Sequence, residues 1–134
     1  MLFRSRKARD FFFLDFFPKS ADDVMALFTN RDKHPEQNAY FRMVSTYWDM
    51  AAAMVNNGAI SLQFFNDCNG EHIGVFSKIE PLLGEIRAAY GPQFAASLEK
   101  LIDATPDGRK RSAESRERMN AIREQLSKAQ SSTA

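Results

Sequence analysis

"HPEQNAYFRMVSTYWDMAAAMVNNG", residues 34–58, decides how this chain is read. Pro35 stands where the first turn of a helix tolerates a missing N–H, and Glu36 favours that electropositive end. Phe41, Val44, Trp48, Ala51 and Val55 then recur at helical spacing over four turns. Asn57-Gly58 forms a left-handed stop. This helix carries the only tryptophan of the chain, on a stripe that must face a core.

The flanking segments have the same period. "SRKARDFFFLDFF", 5–17, predicts a first helix ended by Pro18. "SADDVMALFTN", 20–30, predicts a second, with Ser20 as N-cap, Asp23 three residues on, and Val24, Leu27 and Phe28 on one face. Ser61 restarts a short helix, "SLQFFNDC", which Asn69-Gly70 closes. In "EHIGVFSKIEPLLGEIRAAYG", 71–91, Ile73, Phe76, Ile79, Leu83, Ile86 and Tyr90 share a face. Pro81 inside it leaves the Ser77 carbonyl without its donor and should kink the helix. Gly91-Pro92 opens "PQFAASLEKLIDA", with Phe94, Leu98, Leu101 and Ile102 inward.

No stretch alternates with a period of two, so no strand is expected. The fold class is all-α: a single-domain helical bundle of about six helices over residues 1–106. Thr105-Pro106-Asp107-Gly108 marks a change of character. Residues 107–134 read as a loosely attached, charged C-terminal helix whose apolar positions thin to Met119, Ile122 and Leu126, with "AQSSTA" disordered.

A chain of 134 residues fits one domain and can bury a core without disulfides or a structural metal. Cys68 is the only cysteine, which suits a reducing compartment. No apolar run reaches membrane-spanning length, and "MLFRSRKARD" lacks the apolar region of a signal peptide, so a cytoplasmic location is expected. The net charge of +1 is unevenly spread. Residues 1–10 carry four basic side chains against one acidic, residues 107–134 seven against four, and the middle is acidic. Without a clustered basic face, nucleic acid is not an expected partner. The basic ends could instead meet the acidic body of a second copy.

Catalytic, cofactor and metal chemistry finds little support. Metal ligation needs side chains converging at i, i+3 or i, i+4, but the two histidines are 38 positions apart and Glu71-His72 point to different faces. The calcium-loop look of Asp67, Asn69 and Glu71 fails because the glycine comes one position early and Lys78 stands where glutamate is required. Cys68 and His72 are one turn apart, but Asn69-Gly70 breaks the helix between them, and a lone cysteine among aromatics usually packs as a small hydrophobe. Glu80 and Glu85 flank Pro81 on solvent-leaning positions. No phosphate-binding glycine loop precedes a helix, and "RKRSAESRER" lacks the heptads of a basic zipper. Asp49 is a charge beside the Trp48 stripe. A structural pair with Arg87 is its expected fate.

The N-terminal aromatic cluster is the most distinctive feature. Phe3, Phe11, Phe12, Phe13, Phe16 and Phe17 cover more of a helix than one core-facing arc. Such a helix is either wrapped by the others or offers Phe11, Phe12, Phe13, Phe16 and Phe17 as an interaction surface. A membrane-surface anchor led by Arg4, Arg6, Lys7 and Arg9 is the weakest reading, since Asp10 and Asp15 oppose it.

Residues 34–90 resemble small all-helical bacterial proteins grouped as domain of unknown function 4760. The resemblance rests on the long aromatic helix, Gly58-Ala59-Ile60, Phe64-Phe65-Asn66-Asp67, and Ile86-Arg87 late in the next helix. It implies a helical fold and no activity. Several such proteins carry a membrane span before the helical domain, and this sequence reads as lacking one. The expected function is a non-catalytic interaction module that pairs with a second copy through aromatic and methionine-rich surface. The alternatives are another protein partner, a bundle holding a small apolar ligand between the 35–57 and 71–90 helices, a peripheral membrane protein, and, least favoured, an enzyme.

Overall fold

The structure, a computed structural model, describes residues 2–29 and 32–132, with side chains from residue 6 onward. It is all-helical among the described residues: α1 (Leu2–Asp10), α2 (Ala21–Thr29), α3 (Pro35–Asn56), α4 (Leu62–Cys68), α5 (Glu71–Ile79), α6 (Leu83–Tyr90), α7 (Ala96–Ala104) and α8 (Gly108–Ser132). The expected end of α2 at Asn30 and the side chain of Phe3 lie outside the described residues.

Helix α3 is the spine, packing chiefly on α7 and on α1. Phe41, Val44, Trp48, Ala52 and Val55 form its buried face, and the Ala51–Ala53 run lets neighbouring helices approach closely. At its end Gly58 takes φ +85°, a left-handed conformation that glycine adopts without strain. Ser61 caps α4 as the sequence implies, its hydroxyl accepting from the Phe64 N–H at 3.1 Å.

The wrapped helix is not the one the phenylalanines suggest. Every residue of α5 from His72 to Ile79 is buried, so α5 holds the centre of the bundle. Its polar members, His72, Ser77 and Lys78, hid that in the sequence. The N-terminal segment differs from the expected single helix over 5–17. After α1 the chain widens into one π-helical turn, Phe11–Asp15, closed by Phe16 N–H donating to the Phe11 carbonyl at 2.9 Å. Phe16 is then extended, with φ −98° and ψ 105°. Pro18 keeps the helix from resuming, because it cannot donate and biases Phe17 away from helical geometry.

Pro81 acts as expected. A single 3₁₀ turn, Glu80–Leu82, separates α5 from α6. The freed Ser77 carbonyl accepts from Arg116 Nη1 of α8 at 3.0 Å. Arg116 thus ties the first half of α8 to the body; the helix runs through Ser132, exposed from residue 121 onward, and residues 133–134 of the expected tail lie outside the described residues. Asp107 turns the chain with φ +55°, and at Gly108 an added Cβ would lie 2.0 Å from the Ile102 carbonyl oxygen. Only glycine fits there. A buried Ser112 and the arginines described below complete the attachment.

Candidate functional site

The outer side of α3 is apolar as well. Met43, Tyr47, Met50 and Met54 follow one another at four, three and four residues, the spacing of a coiled-coil seam, and none is covered. Tyr47 is 55% and Met50 56% exposed, which for large apolar side chains is unusual unless something packs on them. At 100° per residue the seam lies about 130° around the helix from the core face. Its flanks carry no charge: Ala39, Thr46 and Ala53 on one side, Val44 and Ala51 on the other.

Beside the seam, a cleft of about 370 Å³ opens between α1, α3 and the start of α5. Met43, Val44, Tyr47 and Trp48 form its apolar wall, and the Arg9–Glu71 ion pair at 2.9 Å stands at its edge. Trp48 is the inner wall, only 8% exposed, in edge contact with Phe65 and tilted against His72. His72 Nε2 lies 3.1 Å from Asn66 Oδ1. Because Asn66 Nδ2 donates to Thr105 Oγ1 and Thr105 donates to the Leu101 carbonyl, the chain of bonds leaves His72 Nε2 as the donor. Burial first, and then the charge of Arg111, lower the His72 pKa to about 4. The ring is a neutral wedge that joins α4, α5 and α7.

Asp49 and Arg87 do not pair. Asp49 Oδ1 accepts the Leu98 N–H at 2.9 Å and so caps α7, whose own N-cap residue, Ala95, has no acceptor side chain. Arg87 donates from Nε to the Phe94 carbonyl and from Nη1 to Glu99, both at 2.9 Å. The two residues thus hold neighbouring parts of the α6–α7 corner separately. The aromatic cluster is also redistributed. Phe11, Phe12 and Phe16 are core residues in ring contact with Tyr40 and Phe41, and are not an available surface. Phe13 and Phe17 are half-buried, and Leu14 between them is exposed. Cys68 is exposed, not packed among the aromatics, because it ends α4 at the surface.

A family model described as Domain of unknown function (DUF4760) matches residues 2–105. The chain belongs to that family. No curated protein and no solved structure matches it. The DUF4760 segment ends where α7 does, so α8 lies beyond it.

That extra helix nevertheless completes polar positions inside the DUF4760 segment. Arg109 donates to Glu80 at 2.9 Å, to Glu99 at 3.0 Å and to Asp103 at 2.6 Å, and Arg116 and Ser112 reach Glu80 Oε1 at 3.2 and 2.7 Å. Burial opposes ionisation of Glu80 and Glu99, but these hydrogen bonds outweigh it and hold both carboxyls below their usual range. Glu80 is thus the centre of the α5–α8 contact and not a solvent-leaning carboxylate.

Lys78 is the functional-looking residue that the sequence reading passed over. Its ammonium donates at 2.5 Å to the carbonyls of both Phe12 and Phe16 and at 3.4 Å to that of Phe13. It also stands 3.8 Å from the centroid of the Phe17 ring. It serves the orphan carbonyls that the π turn and Pro18 create, a task that a helix C-terminus leaves to cations. Burial, then repulsion from Arg123, lower its pKa to about 7, with Asp15 acting the other way. A lysine in an apolar run at a helical position gave no local sign of this; only the register of a segment 62 residues earlier supplies its partners. Among the described residues no three His, Cys, Asp or Glu side chains are grouped to hold a metal ion, and no helix is long and apolar enough to cross a membrane.

Proposed function

We propose that this protein is a non-catalytic helical interaction module whose partner is a second copy of itself, joined along the outer face of α3. The observation that carries the reading is the Met43–Tyr47–Met50–Met54 seam, apolar at heptad spacing and uncovered. A second copy is the favoured occupant because the seam and its small, uncharged flanks are self-complementary. Two identical faces meet about a two-fold axis without opposing like charges. Methionine side chains adapt to one another at such a contact, and tyrosine is enriched in interface cores. The unpaired Cys68 suits a reducing, cytoplasmic setting for this assembly. Light scattering over a concentration series tests the reading. A mass of twice the chain's 15.2 kDa is expected, and a clean monomer at high concentration removes its support.

The cleft beside Trp48 favours a second reading, a site for a small apolar ligand. Its volume of about 370 Å³ is of ligand-pocket size, its wall is aromatic and aliphatic, and Arg9 could meet a polar end of the ligand. Trp48 fluorescence during titration with medium-chain fatty acids tests it. A saturable shift supports the reading, and silence across the panel counts against it.

A further inference from the structure

A second cleft, of about 140 Å³, lies where the Pro18 exit, the Pro81 break and α8 meet. Four cationic side chains line it: Lys19, Lys78, Arg116 and Arg123. Pro81, Leu82 and Met119 form apolar walls, and the Phe17 ring is contacted by two of the cations, Lys78 at 3.8 Å and Arg123 at 4.8 Å. Among the described residues Lys19 and Arg123 make no ion pair. Arg116 uses Nη1 on Glu80 and the Ser77 carbonyl, and the rest of its guanidinium fork has no hydrogen-bond partner among the described residues. Among the described residues no carboxylate lines the cleft; those around it are Glu80, spent on Arg109 and Arg116, Asp15, which acts on Lys78, Asp23, which accepts the Lys19 backbone N–H at 2.8 Å, and Glu124, which borders the adjoining groove with Lys19 and Arg123.

Four cationic side chains thus face one cleft whose lining holds no carboxylate. We propose that this cleft binds a phosphate monoester group, with the guanidinium groups of Arg116 and Arg123 and the ammonium of Lys19 as its direct partners. Two arginine forks favour the oxygen geometry of phosphate, and a group bearing about 1.5 to 2 negative charges at neutral pH suits a lining of several cations better than a single carboxylate does. Lys78 has its three N–H groups on backbone carbonyls, so it acts on the anion through charge alone. The relation is reciprocal: repulsion from Arg123 is part of what lowers the Lys78 pKa, and an anion in the cleft raises it again.

The test uses the full chain with two phosphate sources, inorganic phosphate in solution and vesicles containing phosphatidic acid in phosphatidylcholine. Chloride at matched ionic strength and plain phosphatidylcholine vesicles are the controls. Calorimetry or vesicle co-sedimentation reads binding, and NMR of the lysine ε-methylene groups follows Lys78. Saturable binding of inorganic phosphate, with the Lys78 titration moving upward, supports the site for a free phosphate compound. Binding to the acidic vesicles alone, also with that movement, supports a lipid-borne phosphate. Both Arg123→Gln and Lys19→Gln, exposed positions that leave the core untouched, should weaken binding by about tenfold each, while Lys128→Gln on the distal part of α8 should not. No binding to either source overturns the proposal. So does binding that Lys128→Gln weakens as much as Arg123→Gln, which would mark it as diffuse attraction.

Discussion

The inner face of α3, from Phe41 through Val44, Trp48 and Ala52 to Val55, and its outer face, from Met43 through Tyr47 and Met50 to Met54, have the same period and similar apolarity. One is sealed by α1, α5 and α7, and the other is open. The difference lies in side-chain type. The inner face combines rigid aromatic and β-branched residues with an alanine that admits a neighbouring helix, as suits a fixed core. The outer face is three methionines and a tyrosine, soft or amphipathic groups that tolerate water before a partner arrives and adapt when it does. Periodicity alone does not separate a core stripe from an interface stripe. Residue chemistry and exposure together do.

The comparison can be broken most forcefully from the inside. Phe41→Ala removes a ring that contacts Phe12, Phe16, Phe28 and Phe94. It should cost about 3–5 kcal/mol in denaturant unfolding. A loss comparable to that of an exposed methionine would mean that the inner face is not a packed core. The His72 wedge behind Trp48 gives a pH signature. Its folded pKa of about 4 lies below the ordinary 6.5, so the unfolded chain binds the proton more readily. Its stabilising contribution is complete above pH 6.5 and falls away as the pH drops toward 4, by about 3 kcal/mol in all. Glu80, Glu99 and Asp103 are held below their ordinary values, so their losses set in only below about pH 4.5. Unfolding free energy measured from pH 6 to 5, where Lys78 with its folded pKa of about 7 is protonated in both states, should therefore slope in the native chain and lie nearly flat in His72→Gln.

A smaller effect is expected where α3 caps α7. Asp49→Ala should cost about 1 kcal/mol, and Asp49→Asn, which keeps the acceptor, much less. In a double-mutant cycle with Arg87→Met the two losses should add, because each residue serves its own partner. A coupling energy above about 0.5 kcal/mol would restore the pairing that the sequence suggests.

How far the sequence could be read follows from the range of its interactions. The spine helix, its Asn57-Gly58 stop, the Ser61 restart and the Pro81 break were all legible, because each depends on residues within one or two turns. Asp49 was correctly singled out as a charge needing a partner. Its actual partner, the Leu98 backbone N–H, was invisible because any helix N-terminus offers such donors. The phenylalanine cluster pointed to a wrapped helix, yet the wrapped helix is α5. There, three polar side chains bond to groups that the helical pattern does not reveal: His72 Nε2 to Asn66 of α4, Lys78 to the Phe12–Phe16 carbonyls, and Ser77 back to the Gly74 carbonyl of its own helix. The firm seat of α8 was likewise illegible, since it rests on Arg109 and Arg116 meeting Glu80 and on a glycine with no room for a Cβ. The Met43–Met54 seam was present in the sequence at clear spacing, but only the covered Trp48 face showed which of two stripes was left over.

The smallest expected change in fold stability carries the largest consequence for assembly. Met50→Asp lies at the middle of the open seam and should alter the stability of the single chain by no more than about 0.5 kcal/mol. Sedimentation equilibrium on the native chain, on Met50→Asp and on Leu126→Asp, a charge placed on the exposed apolar patch of α8, compares the two surfaces directly. A native dimer that persists in Leu126→Asp and becomes a folded monomer in Met50→Asp is the expected result. A native monomer, or a dimer that Leu126→Asp dissolves and Met50→Asp leaves intact, would contradict the assignment of the outer face of α3 as the interface.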